Sequence, residues 1–189
     1  MALHNLIENL IHELRYREVE PHLRPCRRLA DLGCRFDHHF LTRVRGRAEQ
    51  CWGLDVTVEK GVDGNIALLN ADITRPLPFE DGYLDQITIL AVLEHIADPK
   101  AVLTEVRRCL APGGRLIVTT PTKLGIKIHD VLVHTGLVRD VEPGEHKDFD
   151  VSPEALAAWA REAGLVVEDV HTFELGMNAF LLASRPSAP

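Results

Sequence analysis

The chain reads as an α/β protein: a single doubly wound, mostly parallel seven-stranded sheet with a C-terminal antiparallel hairpin and helices on both faces. Three observations predict this. From Leu29 onward short apolar runs alternate with helical patterns, the arrangement that yields parallel strands joined by right-handed crossovers. Two of the helical patterns open on a capping residue followed by proline, which fixes where they start. The last two apolar runs are joined by little more than "GMN". A parallel pair needs a crossover of about a dozen residues, so this pair must be antiparallel.

The elements follow in order. In the N-terminal segment, residues 1–22, Leu3, Leu6, Ile7, Leu10, Ile11 and Leu14 recur at helical spacing opposite a polar face, and the helix ends near Pro21. "RLADLG" reads as the first strand, Phe36 to Arg45 as a helix, Cys51 to Asp55 as the second strand and "NIALLNAD" as the third. Between the second and third lie only the 10 residues "VTVEKGVDGN". At most a turn or two of helix fits there, so one sheet face should be thinly covered, closed by the N-terminal helix or by a second copy in a homodimer. Tyr83 to Leu90 is a buried strand leading into the loop "AVLEHIA". Asp98 as N-cap and Pro99 at the first helical position start the next helix, and "APGG" stops it and turns the chain into the strand "GRLIVTT". Ser152, Pro153 and Gly164 delimit a further helix before the two closing strands, "LVVEDVHTFEL" and "NAFLLASR".

Bulk composition narrows the function classes. A length of 189 residues is that of a single domain, expected to span 1–189. A net charge of −7 argues against a general nucleic-acid binder, which needs a surplus of cations facing phosphate. The basic clusters Arg24 to Arg28 and Arg43 to Arg47 read as solvated surface. Four cysteines without Cys-x-x-Cys spacing indicate neither a zinc ribbon nor a disulfide framework, and no apolar run reaches membrane length. A cytoplasmic protein with no membrane partner is expected. The 10 histidines do not pair at i, i+4 as two ligands on one helical face would, so no metal is expected.

Five segments then resemble one family together: "ADLGC", "GLD", "NADI", "LPFEDGYLDQITILAVLEHIADP" and "EVRRCLAPGGRLIVTTP". They are similar to the class I methyltransferases that use S-adenosylmethionine, and the resemblance covers roughly Arg27 to Arg185. It implies that S-adenosylmethionine is the co-substrate. By the same resemblance Asp31 holds the donor's amino group, the loop of Gly33, Cys34 and Arg35 borders its methionine part, Asp72 and Ile73 meet the adenine, and the backbone near Leu90 and Ala91 touches the donor. Asp55 has a reading of its own. It follows Gly33 by about the 20-residue interval at which a strand-end carboxylate reaches ribose hydroxyls, although a strand-end Asp also caps turns. Asp72 is open to the same alternative, as the start of a turn ahead of "TRPLP".

The loop departs from the family's glycine pattern, with Arg35 and Asp37 where the second and third glycines belong. That disfavours a dinucleotide, whose pyrophosphate needs close backbone approach, more than a donor without phosphate. The loop then works provided Arg35 avoids positive φ, with its guanidinium toward the donor's carboxylate or out to solvent. If Arg35 fills the pocket instead, the chain is an inactive scaffold of the same fold. A methyltransferase acting on RNA or protein is a third reading, disfavoured by the acidic charge and by "LAVLEH" in place of an Asn/Asp-Pro-Pro-aromatic loop. The favoured reading is methyl transfer to a small-molecule acceptor. Residues 121–151 form the expected acceptor cap, and the candidate bases are His95 beside the donor loop and His146 in "GEHKDF", with His129 and His134 in the same segment.

Overall fold

The structure is a computed structural model that describes residues 3–135 and 151–187. Its sheet has eight strands in the order β3-β4-β2-β1-β5-β6-β8-β7. These are β1 (Cys26–Leu32), β2 (Ala48–Asp55), β3 (Gly61–Asp63), β4 (Ile66–Asn70), β5 (Leu84–Leu90), β6 (Leu110–Pro121), β7 (Val166–Phe173) and β8 (Asn178–Ser184). The helices are α1 (Leu3–Val19), α2 (His39–Val44), α3 (Pro99–Cys109), α4 (Lys123–His134) and α5 (Pro153–Glu162). β4, β2, β1, β5 and β6 run parallel, and β8 pairs antiparallel with both β6 and β7. The expected hairpin is therefore present.

The expected seven strands become eight because the short connection after β2 folds as a strand. Gly61–Asp63 returns antiparallel along β4 where a crossover helix would otherwise lie. Asn70 ties this connection down, donating to the carbonyls of Val56 at 2.7 Å and Val58 at 3.1 Å. Val58 is buried beneath it among Leu41, Val44, Ile66 and Leu68. Val58 thus covers part of that face, while β3 extends the edge of the sheet.

The N-terminal helix forms, with a different inward face. Leu10 and Leu14 are exposed, while Arg15, Tyr16 and Val19 are buried. The C-terminal half of α1 docks on α2, with Tyr16 against Phe40 at 5.1 Å between ring centroids, and that contact sets the rotation of the helix. α2 starts at His39 rather than Phe36 because the preceding loop carries left-handed residues that a helix excludes.

Sequence caps appear as read. Asp98 accepts from the N–H of Ala101 at 3.1 Å and Ser152 from Ala155 at 3.2 Å. "APGG" differs: it is a bulge inside β6, and the strand begins at Leu110. Arg185 holds the bulge, its guanidinium donating to the carbonyl of Leu110 at 2.7 Å and its backbone N–H to that of Gly114 at 2.9 Å. Arg108 similarly fixes the proline-led loop before β5, donating to the carbonyl of Phe79 at 2.8 Å and to Asp81 at 2.7 Å. The helix α4 inside the expected cap segment has no sequence counterpart. It is capped by Thr122, which accepts from Gly125 at 3.2 Å. Residues 136–150, His146 among them, lie outside the described residues.

Candidate active site

The parallel strands deliver their carboxyl ends to one rim, and the loops there carry the candidate residues. Gly33 ends β1 with φ +82°, and a Cβ on it would stand 2.3 Å from Val92, so glycine is demanded by both conformation and contact. Its N–H donates to the carbonyl of Leu54 at 2.7 Å, binding the loop to β2. The Cys34 thiol is buried beside Gly53, within 3.5 Å of the Arg35 carbonyl, and burial pushes its pKa far up.

Arg35 has φ +61°, contrary to the expectation that it avoids the left-handed region. The backbone keeps the path a glycine would take, at a cost of about 1–2 kcal/mol. Two contacts hold it there: its N–H donates to Asp55 Oδ2 at 2.9 Å, and its guanidinium donates to His12 Nε2 of α1 at 2.8 Å. The side chain is exposed. It lies across to α1 and does not plug the loop.

Asp31 is 2% exposed and accepts the hydroxyl of Thr88 at 2.5 Å. Burial raises its pKa to about 7, the Asp55 charge adds to the rise, and the Thr88 hydrogen bond opposes it. A carboxyl of this kind is poised to ionise when a cation comes beside it.

Asp55 and Asp72 repeat one local device. Asp55 Oδ1 accepts from the N–H of Thr57 at 2.8 Å and its hydroxyl at 2.6 Å; Asp72 Oδ1 accepts from the N–H of Thr74 at 2.9 Å and its hydroxyl at 2.6 Å. Both aspartates cap the turn that follows their strand, the alternative the sequence left open for each. Asp55 also spans to the loop of β1. Asp72 is half exposed, its pKa lowered by Thr74, and Ile73 packs into the core near Trp52 and Leu77.

On the other side of Gly33, Leu90 ends β5 and Ala91 adopts φ +56°, its N–H donating to the carbonyl of Thr119 at 2.8 Å. Glu94 follows, 3% exposed, accepting from Thr120 at 3.0 Å. Burial raises its pKa to about 7 against the opposing pull of Arg15. His95 Nε2 lies 4.0 Å from Glu94 Oε1.

Arg15 completes the rim. It is 8% exposed and donates to Asn178 Oδ1 at 3.5 Å, while its Nε has no hydrogen-bond partner. Burial pulls its pKa down and the charges of Glu94 and Glu174 push it up. Thr119 Oγ1 is also buried without a partner. Two surface clefts lie elsewhere, one at the amino ends of β1 and β2 beside Arg27 and Asn65, the other between α5 and β7.

A family model for the methyltransferase domain matches residues 3–170. The chain belongs to this family. By fold and family it belongs with the class I, S-adenosylmethionine-dependent methyltransferases. Among similar methyltransferases, the ubiquinone biosynthesis O-methyltransferase of Xanthomonas euvesicatoria pv. vesicatoria is 35% identical over 111 residues, 56% of this chain and 46% of that protein. The enzyme of the same description from Xylella fastidiosa strain M23 is 40% identical over 99 residues, 51% of this chain and 38% of that one. The chain thus spans less than half the length of these relatives. A S-adenosylmethionine-dependent methyltransferase from Mesorhizobium loti superposes with a TM-score of 0.68 at 19% identity, over 90% of this chain and 95% of that one. The [4+2]-cyclase SpnF gives 0.70 at 18% identity, over 92% and 81%. At such identities the likeness shows the methyltransferase fold alone.

The residues of this chain fit the family's co-substrate. A buried carboxyl suits an ammonium, and a buried guanidinium with an orphaned N–H suits a carboxylate. Of these, Arg15 was not singled out from sequence. The available signal was a cation one helical turn beyond Ile11, on the side of α1 that also carries Tyr16 and Val19. Glu94 was read there only as a loop residue. No group of three or more His, Cys, Asp or Glu among the described residues is placed to hold a metal ion.

Proposed function

We propose that this chain transfers the methyl group of S-adenosylmethionine to an oxygen of a small-molecule acceptor. The observation that carries the reading is the convergence of Asp31, Gly33, Asp55 and Arg15 on one rim, with Arg35 keeping a glycine's backbone path and its side chain clear. In that reading Asp31 takes the donor's ammonium and Arg15 its carboxylate. Asp55, whose Oδ1 already accepts twice from Thr57, keeps an acceptor position on Oδ2 for a ribose hydroxyl, Asp72 and Ile73 border the adenine, and the main chain at Leu90 and Ala91 walls the donor's methyl end. The oxygen acceptor is suggested by the relatives named as O-methyltransferases.

When bound, S-adenosylmethionine supplies a methyl group already activated by its sulfonium, so no metal is required. What remains for the chain's own residues is alignment, exclusion of water and removal of one proton. His95 is the candidate base beside the donor loop, 31% exposed with the Glu94 carboxyl behind it, and His146 is the second candidate in the proposed cap, residues 121–151. An acceptor hydroxyl would give its proton to the imidazole as the oxygen–carbon bond forms and the carbon–sulfur bond breaks.

Calorimetry with S-adenosylhomocysteine tests the donor half. Binding of the wild type, lost in Asp31→Ala and weakened in Arg15→Ala, supports it; no binding to the wild type defeats it. Transfer of radiolabelled methyl to small hydroxyl-bearing aromatic acceptors tests the acceptor half. His95→Gln should lower kcat at unchanged donor affinity, and transfer found only with RNA or protein would refute the acceptor class.

A further inference from the structure

The turn between β7 and β8 lies on the same rim as the donor loop, because β7 and β6 both flank β8 and both end against Asn178, opposite Phe173 and Pro121. The turn is bent against ordinary preference. Glu174 and Leu175 hold φ of +51° and +57°, a region that side chains other than glycine avoid. Leu175 gains nothing from the bend, since it is 94% exposed. What the bend achieves is the placement of Glu174. Its Oε1 is buried without a hydrogen-bond partner, whereas a glutamate serving the turn alone would reach water. Thr122 holds the far side of the turn, its hydroxyl donating to the carbonyl of Gly176 at 2.7 Å and its N–H to that of Met177 at 2.9 Å.

Asn178, 5% exposed at the start of β8, joins this carboxylate to the site. Its Nδ2 donates to Glu174 Oε2 at 2.5 Å, and its Oδ1 accepts from Arg15 Nη2 at 3.5 Å. A carboxylate accepts and a guanidinium donates, so the amide fits between the two in one direction only. The contact to Arg15 sits at the outer limit of a hydrogen bond. It steers the guanidinium without saturating it, and Arg15 Nε stays buried with no partner. Burial raises the pKa of Glu174 while the Arg15 charge and the Asn178 bond oppose the rise, so the two charged groups sense each other across the amide.

We propose that Glu174 is a positioning residue for the methyl donor: through Asn178 it aims the Arg15 guanidinium at the donor's carboxylate. The proposal rests on the reading that Arg15 takes that carboxylate. Glu174 itself touches no ligand. It fixes a long, rotamer-rich side chain before the ligand arrives, and a side chain ordered in advance loses less freedom on binding. Part of the donor's affinity therefore resides in the β7–β8 turn, far along the chain from α1, where Arg15 is carried.

Calorimetry of the full chain with S-adenosylhomocysteine and with its decarboxylated analogue tests it, because the analogue keeps the adenosyl group and the ammonium but gives Arg15 nothing to hold. Glu174→Ala should weaken S-adenosylhomocysteine about tenfold, an ordinary coupling for side chains in one network, and leave the analogue within about twofold. Asn178→Ser, which removes the amide link, should show the same selective loss. Glu174→Gln keeps an oxygen for Asn178 Nδ2 and should retain most of the wild-type affinity. In an Arg15→Ala background, Glu174→Ala should have no further effect. Circular dichroism melts show which variants are folded. Folded variants that lose both ligands equally reveal a role confined to the turn and overturn the proposal, as do folded variants that bind S-adenosylhomocysteine like the wild type. Wild type that binds neither ligand, or both equally, defeats the Arg15 reading and the proposal with it, whereas a wild-type preference for S-adenosylhomocysteine that every variant keeps overturns the Glu174 assignment alone.

Discussion

Asp55 Oδ2 receives the main-chain N–H of Arg35 across 2.9 Å, so the tip of β2 fixes a left-handed residue in the loop of β1. The same carboxylate caps Thr57 through its other oxygen. Asp55→Ala should therefore act beyond any loss of ribose contact. We expect about 1–3 kcal/mol of destabilisation, read by denaturant unfolding, with S-adenosylhomocysteine affinity reduced at least about tenfold. Asp55→Asn, with one carbonyl oxygen for two tasks, should fall between.

Arg35→Gly removes a left-handed side chain and also the bond to His12. Relief of about 1–2 kcal/mol of strain is offset by a more flexible unfolded chain and by the lost contact, so stability should change by less than about 1 kcal/mol. Donor affinity should survive, because the site needs the backbone path and not the guanidinium. Loss of binding in this variant would show that Arg35 itself holds the ligand.

Asp31 and Glu94 give the protein without ligand an unusual pH dependence. Their ordinary values are 3.8 and 4.5, and burial raises both to about 7. In the folded state they keep protons that the unfolded chain releases, so their contribution is full below about pH 4 and is lost as pH rises through about 7. The loss is on the order of a few kcal/mol by pH 8. Carboxylates whose values are lowered, such as Glu105, act with the opposite sign and at lower pH. Thermal melts from pH 5 to 8, a range of about three units around these values, should show a fall that flattens in Asp31→Asn and in Glu94→Gln. An ammonium beside Asp31 favours its ionised form, so S-adenosylhomocysteine should bind more tightly across the same rise and release protons, as calorimetry in buffers of different ionisation enthalpy would register.

Gly33→Ala meets two penalties, a φ of +82° and the Val92 side chain. We expect a loss of about 2–4 kcal/mol. Adding Val92→Ala should recover the contact part and leave about 1 kcal/mol of conformational cost, separable by a double-mutant cycle.

Much of this was legible in the sequence because local chemistry and global fold agree. Asp98, Ser152 and their prolines mark helix starts that tertiary packing leaves in place, and the short link before Asn178 forces the final hairpin. Three features were not. β3 consists of three exposed residues with no apolar alternation, and only its pairing with β4 makes it a strand. α1 shows its apolar spacing most clearly around Leu10 and Leu14, yet Tyr16 against Phe40 decides its rotation and so buries Arg15. Arg35 breaks a local conformational rule that Asp55 and His12 compensate from 20 and 23 residues away, beyond any local pattern. Asp31 and Gly33 stand at the carboxyl end of the first strand, as "ADLG" predicts, and the turn-capping by Asp55 and Asp72 follows from "DVT" and "DIT", two copies of one short signature.

The three-residue strand that replaces a crossover helix also shapes how the chain meets its neighbours. A parallel sheet ending at β4 would offer five residues of unsatisfied amides and carbonyls to any extended polypeptide. Gly61–Asp63 occupies most of that ladder and presents a frontier too brief to template another, with Asp63 at its end drawn toward Arg45 and His38. Deleting it would shorten the protein by little and leave a sticky border on the molecule, with aggregation rather than inactivity as its first symptom.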